Sequence, residues 1–122
     1  MNQARSMWPG RTVLAACRRL VSAPIQVFCS DLDGTLLGRR ESTQRFAAAW
    51  ESLPMGRRPL LVYNSGRTVA DILSLIPKWF LPRPDYIIGS VGTELHDARA
   101  GQFDRSFTGQ FGKGWDLAKV EE

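Results

Sequence analysis

The sequence predicts an α/β fold built on parallel strands with helices on both faces, and three observations carry that reading. Short, near-continuous apolar runs recur at residues 25–30, 59–64 and 84–90. Stretches with apolar residues at helical spacing separate them, and each run leaves through a polar turn. Strands that are apolar almost throughout belong to sheets covered on both faces, and ligands of such sheets gather at the carboxyl ends of the strands.

The first run, Ile25-Gln26-Val27-Phe28-Cys29-Ser30, leads into Asp31-Leu32-Asp33-Gly34-Thr35. Ser42 or Thr43 then caps a helix carrying Phe46, Trp50 and Leu53, which Pro54 stops. The second run ends in Asn64-Ser65-Gly66-Arg67. Thr68 caps the next helix with Asp71 as its capping-box-like partner. Val69, Ile72, Leu73 and Ile76 form its apolar face, and Pro77 closes it. The third run exits through Val91-Gly92-Thr93-Glu94. Residues 95–97 and 102–107, joined by a turn at 98–101, read as a C-terminal β-hairpin. Residues 109–114 read as loop, and Trp115 begins a further helix.

Length and charge bound the function. A chain of 122 residues has room for one modest domain with an apolar core. Residues 1–23 form a basic extension, expected to be poorly ordered, and residues 24–122 form the domain. Through residue 24 the chain carries Arg5, Arg11, Arg18 and Arg19 and no acid, which accounts for the whole net charge of +4. The remainder is balanced, so the expected partners include no nucleic acid. No apolar run approaches the roughly 20 residues needed to span a bilayer, so no membrane partner and a cytoplasmic location are expected. Cys29 reads as a small buried residue, His96 and the Arg57-Arg58 pair as solvated, and Trp50 and Trp79 as packing residues.

The first turn carries the chemistry. A carboxylate at a strand end can attack a phosphate ester and divide one difficult displacement into two. Attack by one anion on another needs charge compensation, which Mg²⁺ held by carboxylates and phosphate oxygens supplies. Asp31 is the candidate nucleophile. Asp33 is the candidate general acid and base, and both are candidate metal ligands. Gly34 permits the turn, and Thr35 bonds the Asp33 side chain or closes the turn. The alternative is a surface Asx-turn. In the second turn, Ser65, Gly66 and Arg67 offer a hydroxyl, a permissive backbone and a guanidinium beside a helix N-terminus, all suited to a phosphoryl group.

The Asp31–Thr35 and Leu61–Arg67 segments resemble the first two motifs of the haloacid dehalogenase superfamily of phosphohydrolases. The stretch Pro84-Asp85-Tyr86-Ile87-Ile88-Gly89-Ser90-Val91-Gly92-Thr93-Glu94-Leu95 narrows the resemblance to the sucrose-phosphatase branch, which includes mannosylfructose-phosphate phosphatase. Phe107 and Gly114-Trp115-Asp116 fit more loosely. The resemblance implies a partial Rossmann-like core and Mg²⁺-dependent hydrolysis of a sugar phosphate, with a disaccharide phosphate as substrate. It also implies that Gly92, Thr93 and Glu94 contact that substrate. The family's third-motif lysine and fourth-motif acidic pair have no counterpart here. Lys113 and Lys119 lack a strand context, and no Gly-Asp-x-x-x-Asp follows. The resemblance therefore implies a truncated N-terminal part that lacks the cap domain. Such a part is either a phosphatase or an inactive remnant that binds metal, phosphate or a complementing chain. A phospho-acceptor module is disfavoured, because receivers place the acceptor Asp later.

Overall fold

A computed structural model describes residues 24–111. The expected extension at 1–23 and the helix start at Trp115 lie outside the described residues. One five-stranded sheet organises the rest, in the order β1 (Val27–Ser30), β2 (Leu60–Asn64), β3 (Tyr86–Gly89), β4 (Glu94–Asp97) and β5 (Gln102–Phe103). The first three strands pair in parallel, and β4 and β5 add antiparallel. Helix α1 (Arg40–Ser52) connects β1 to β2, and α2 (Val69–Lys78) connects β2 to β3.

The register decides which side chains meet. Phe28 lies beside Leu61, Ser30 beside Tyr63, and Tyr63 beside Ile87, so these residues and Gly89 share one face. Phe46 of α1 stacks on Phe28 and Trp50 meets it tilted, with centroids 5.7 Å away in both cases. Val69 of α2 lies against Gly89 on the same face. Leu32, Leu61, Tyr63, Val69, Ile72 and Ile87 are essentially sealed there and form the core. Among the described residues, the two helices that connect the parallel strands both lie on this face. Crossovers of one hand that step twice in the same direction deliver both helices to the same side. On the other face Val27 is 52% exposed and Leu60 39%. Cys29 is exposed there too, rather than buried as expected.

Several boundaries differ from the sequence reading for local reasons. Helix α1 starts at Arg40 without a side-chain cap, and Thr43 is buried, donating to the Leu36 carbonyl at 2.6 Å. The helix ends before Pro54, as expected, with Leu53 already extended. Arg58 is not simply solvated, because it donates to the carbonyls of Glu51 and Leu53 at the end of α1. In α2 Thr68 accepts from the Asp71 amide as expected, but Pro77 lies inside the last turn instead of closing it. The Trp79 amide still reaches the Leu75 carbonyl there.

The second hairpin strand stops at Phe103. Asp104 accepts from the amides of Ser106 and Phe107, which caps a third helix, α3 (Arg105–Phe111). Residues 109–111, expected as loop, are therefore helical. His96 is 7% exposed and meets Phe103 edge-on at 5.1 Å, so the solvated reading is also corrected.

Candidate active site

The three polar turns meet at the carboxyl ends of β1, β2 and β3. In the first, alternation along the chain buries Leu32 completely while Asp31 and Asp33 stay exposed on either side of it. The Gly34 amide donates to the Leu37 carbonyl, and the amides of Thr35 and Leu37 donate to the Leu32 carbonyl, closing a tight loop. Gly34 adopts φ +76°, a conformation that favours glycine. Of the two roles expected for Thr35 the structure shows turn closure, and its hydroxyl donates to Asp31 Oδ2 at 3.0 Å rather than to Asp33.

Asp33 instead meets Arg67, 34 positions away. The guanidinium Nε reaches Oδ2 and its second nitrogen Oδ1, each at 2.8 Å, a parallel two-bond fork. These hydrogen bonds hold the Asp33 carboxyl below its ordinary range, and they raise the arginine in return. The sequence reading gave Arg67 to phosphate or sugar. The structure brings it to a carboxylate.

Ser65 is buried; its amide bonds the Ile88 carbonyl at 3.0 Å and its Oγ accepts from the Arg67 amide at 3.2 Å. Gly66 is open, with only Val91 near the place a Cβ would occupy. Asp31, Asn64, Ser65, Gly66, Ile88, Val91 and Gly92 line an open cleft of about 450 Å³. An apolar groove of about 810 Å³ lies at the amino end of β1, between Pro24, Phe28 and Trp50. Convergent polar groups, not volume, single out the smaller cleft.

The third turn is wound left-handed. Ser90, Val91 and Gly92 take φ of +49°, +56° and +86° in succession. For a β-branched residue such as Val91 this is strained. Thr93 Oγ1 donates back to the Ser90 carbonyl at 2.8 Å. Glu94 Oε2 accepts from the Val69 amide at 3.2 Å. Gly92 therefore lines the cleft, whereas the polar atoms of Thr93 and Glu94 bond protein groups. Sequence reasoning passed over Val91 and Asn64 as lining residues, and Gly89 as a close-packing residue. A glycine that ends an apolar strand just before a polar turn was the available signal for Gly89.

Hard-oxygen donors for Mg²⁺ are present on the first turn. The Asp31 carboxylate is exposed, and among the described residues no donor reaches the Asp33 carbonyl oxygen. The Asp33 carboxylate is already engaged by Arg67. Among the described residues no three His, Cys, Asp or Glu side chains converge as a metal cluster. The set fits Mg²⁺ as part of a shell completed by substrate phosphate and water, since the ion takes about six oxygens and keeps several waters. No described helix is long and apolar enough to cross a membrane.

The profile of the family described as Sucrose-6F-phosphate phosphohydrolase matches residues 24–122. This chain belongs to that family. Mannosylfructose-phosphate phosphatase of Agrobacterium fabrum is 42% identical over 99 residues, covering 81% of this chain and 40% of the relative. Probable sucrose-phosphatase 1 of Arabidopsis thaliana is 32% identical over 109 residues, covering 85% of this chain and 26% of the relative. The chain thus spans well under half the length of these sucrose-phosphatase-type relatives.

The fold agrees with that membership. The sucrose-phosphatase of Synechocystis sp. PCC6803, solved with sucrose and phosphate, superposes with a TM-score of 0.70 at 20% identity. The match covers 81% of this chain and 39% of that one. A haloacid dehalogenase-like hydrolase from Bacillus subtilis superposes at 0.60 with 21% identity, covering 80% of this chain and 46% of its own. These likenesses support a haloacid dehalogenase-type α/β core, of which the described residues form part.

Proposed function

We propose that this chain carries the nucleophile-bearing part of a Mg²⁺-dependent phosphatase that hydrolyses a disaccharide phosphate. The observation that carries this reading is the exposed Asp31 carboxylate beside the Ser65–Gly66 turn, in one cleft at the strand ends. A carboxylate oxygen of Asp31 attacks phosphorus, the bond to the sugar oxygen breaks, and an aspartyl-phosphate forms. Asp33 delivers a proton to the departing alkoxide. In the second step Asp33 takes a proton from water, the water oxygen attacks phosphorus, and inorganic phosphate leaves with Asp31 restored.

The Ser65 hydroxyl and the Gly66 amide steady the phosphoryl oxygens from the N-terminal end of α2. Asp31 and the Asp33 carbonyl would hold Mg²⁺, which when bound neutralises charge between the two anions. Arg67 holds Asp33 in its ionised form, which suits the base it becomes in the second step. To act first as an acid, Asp33 has to exchange this partner, and the substrate's phosphate is a competing anion for the guanidinium. Gly92 stands at the sugar side of the cleft, with Thr93 and Glu94 behind it.

A second reading has an observation of its own. Among the described residues no lysine and no second acidic group joins Asp31 and Asp33. A chain left in that condition binds phosphate without turning it over, and needs a complementing chain for catalysis. The test is release of inorganic phosphate from sucrose 6-phosphate, mannosylfructose phosphate and p-nitrophenyl phosphate, with and without Mg²⁺. Mg²⁺-dependent turnover lost in Asp31→Asn is the expected result, by a factor of at least about a thousand. Turnover that survives Asp31→Asn sinks the mechanism, and phosphate binding without turnover selects the second reading.

A further inference from the structure

The end of β3 and the corner into β4 make three hydrogen bonds and one close backbone approach to the loop that carries Ser65 and Arg67 and to the start of α2. The Ile88 carbonyl accepts from the Ser65 amide at 3.0 Å. The Ser90 amide donates to the Arg67 carbonyl at 2.8 Å. At Gly89 an added Cβ would lie 3.0 Å from the Arg67 carbonyl oxygen and from the Val69 amide nitrogen. After the left-handed run at Ser90, Val91 and Gly92, Glu94 returns its carboxylate to the Val69 amide at 3.2 Å.

The strained run now has a physical purpose. Three left-handed residues turn the chain back tightly, so that the residue opening β4 faces the first turn of α2. Without the reversal, the Glu94 carboxylate would not face an amide 25 positions earlier. Val91 in a left-handed conformation is unfavourable by itself, and such strain persists only where the surroundings over-determine it. The ties at Ser90, which opens the run, and at Glu94, beyond its end, supply that determination.

We infer that Glu94 is a positioning residue for the phosphate-binding loop. Resting on the phosphatase reading above, it sets Ser65 against Asp31, and Arg67 against Asp33, by clamping the start of α2. It acts through the Val69 amide and does not touch substrate. Its requirement is for a hydrogen-bond acceptor at the end of a side chain of this length, not for a negative charge.

The test uses the full chain and inorganic phosphate with Mg²⁺, measured by calorimetry, alongside amide hydrogen exchange at Val69. Glu94→Ala is expected to weaken phosphate binding about tenfold, because small misplacements of binding groups are costly. It also removes protection at Val69. Glu94→Gln keeps an acceptor oxygen and is expected to stay within about threefold of the parent in both measurements. Gly89→Ala, which pushes on the same loop from the other side, weakens phosphate binding as Glu94→Ala does. Asp104→Ala removes a cap on α3 away from the cleft, and controls for general destabilisation by leaving phosphate affinity unchanged.

Equal losses in Glu94→Gln and Glu94→Ala would overturn the inference in favour of direct charge contact. Unchanged affinity in Glu94→Ala would overturn it outright. Failure of the parent chain to bind phosphate at all defeats the phosphatase reading and the coupling together. The clamp is then judged by exchange alone: Val69 protection lost in Glu94→Ala and kept in Glu94→Gln sustains it, and any other pattern removes it.

Discussion

The two faces of the sheet show how much of this molecule's order comes from one side. Phe28, Leu61, Tyr63 and Ile87 face α1 and α2, and the last three are completely shielded from water. One residue along, Val27, Cys29 and Leu60 face away and stand open, although Val62 between them and β3 is buried. Composition does not separate the two sets, since both are largely apolar. Helix placement separates them, and that follows from both crossovers stepping the same way across the sheet. The comparison teaches that an apolar strand predicts a need for cover, and that chain topology decides which side is covered first.

Substitution on the two faces tests this most strongly. Ile72→Ala on the covered side is expected to lower unfolding free energy by about 2–5 kcal/mol in urea titrations, through lost transfer energy and a residual cavity. Val27→Ala on the open side is expected to stay within about 0.5 kcal/mol. A loss at Val27 comparable to that at Ile72 would mean that the open face is covered in solution.

A chemical probe gives a finer version of the same contrast. With Cys17, the other cysteine of the sequence, replaced in a Cys17→Ser background, Cys29 is expected to react with a disulfide reagent at a rate close to that of a free thiol. Protection by more than about a hundredfold would contradict its exposure.

At the rim between the faces the expected effect on stability is smallest. Asp33 is held below its ordinary value of 3.8 by its hydrogen bonds to Arg67. The pair's contribution is therefore fully present above that ordinary value, and is lost as pH falls through the lowered one. Arg67→Ala should return the Asp33 carboxyl to the ordinary range in a carbon-detected NMR titration. Because the pair is solvent-exposed, global stability should change little. An unshifted titration in the parent chain would show that the fork does not persist in solution.

Much of this was legible in the sequence, and the exceptions share a cause. Three apolar runs gave three parallel strands, and Thr68 with Asp71 gave the cap of α2, because these signals are local. The carboxyl-end turns gave Asp31, Asp33 and Ser65 a common neighbourhood, which the structure brings together. Local signals do not state partners. Nothing near Arg67 points to a carboxylate 34 positions earlier, and nothing near Glu94 points to the Val69 amide. Strand order is equally silent, so the side on which α1 and α2 pack was not legible and Cys29 was placed inside. Helix α3 was missed for a different reason. Asp104 reads equally well as a turn residue or as a cap, and β-prone Phe103, Phe107 and Phe111 obscured the helical spacing. In the fold Phe107 and Phe111 meet edge-on at 5.2 Å, one helical turn apart.

The complete burial of Leu32 has a consequence for how this molecule fails. Asp31 and Asp33 flank a side chain that belongs to the core, so their spacing is inherited from the packing beneath them. The pair is therefore disturbed when that core opens, and not before. Loss of phosphate affinity on heating should therefore coincide with the loss of secondary structure, the leucine between the acids tying the site to the fate of the core.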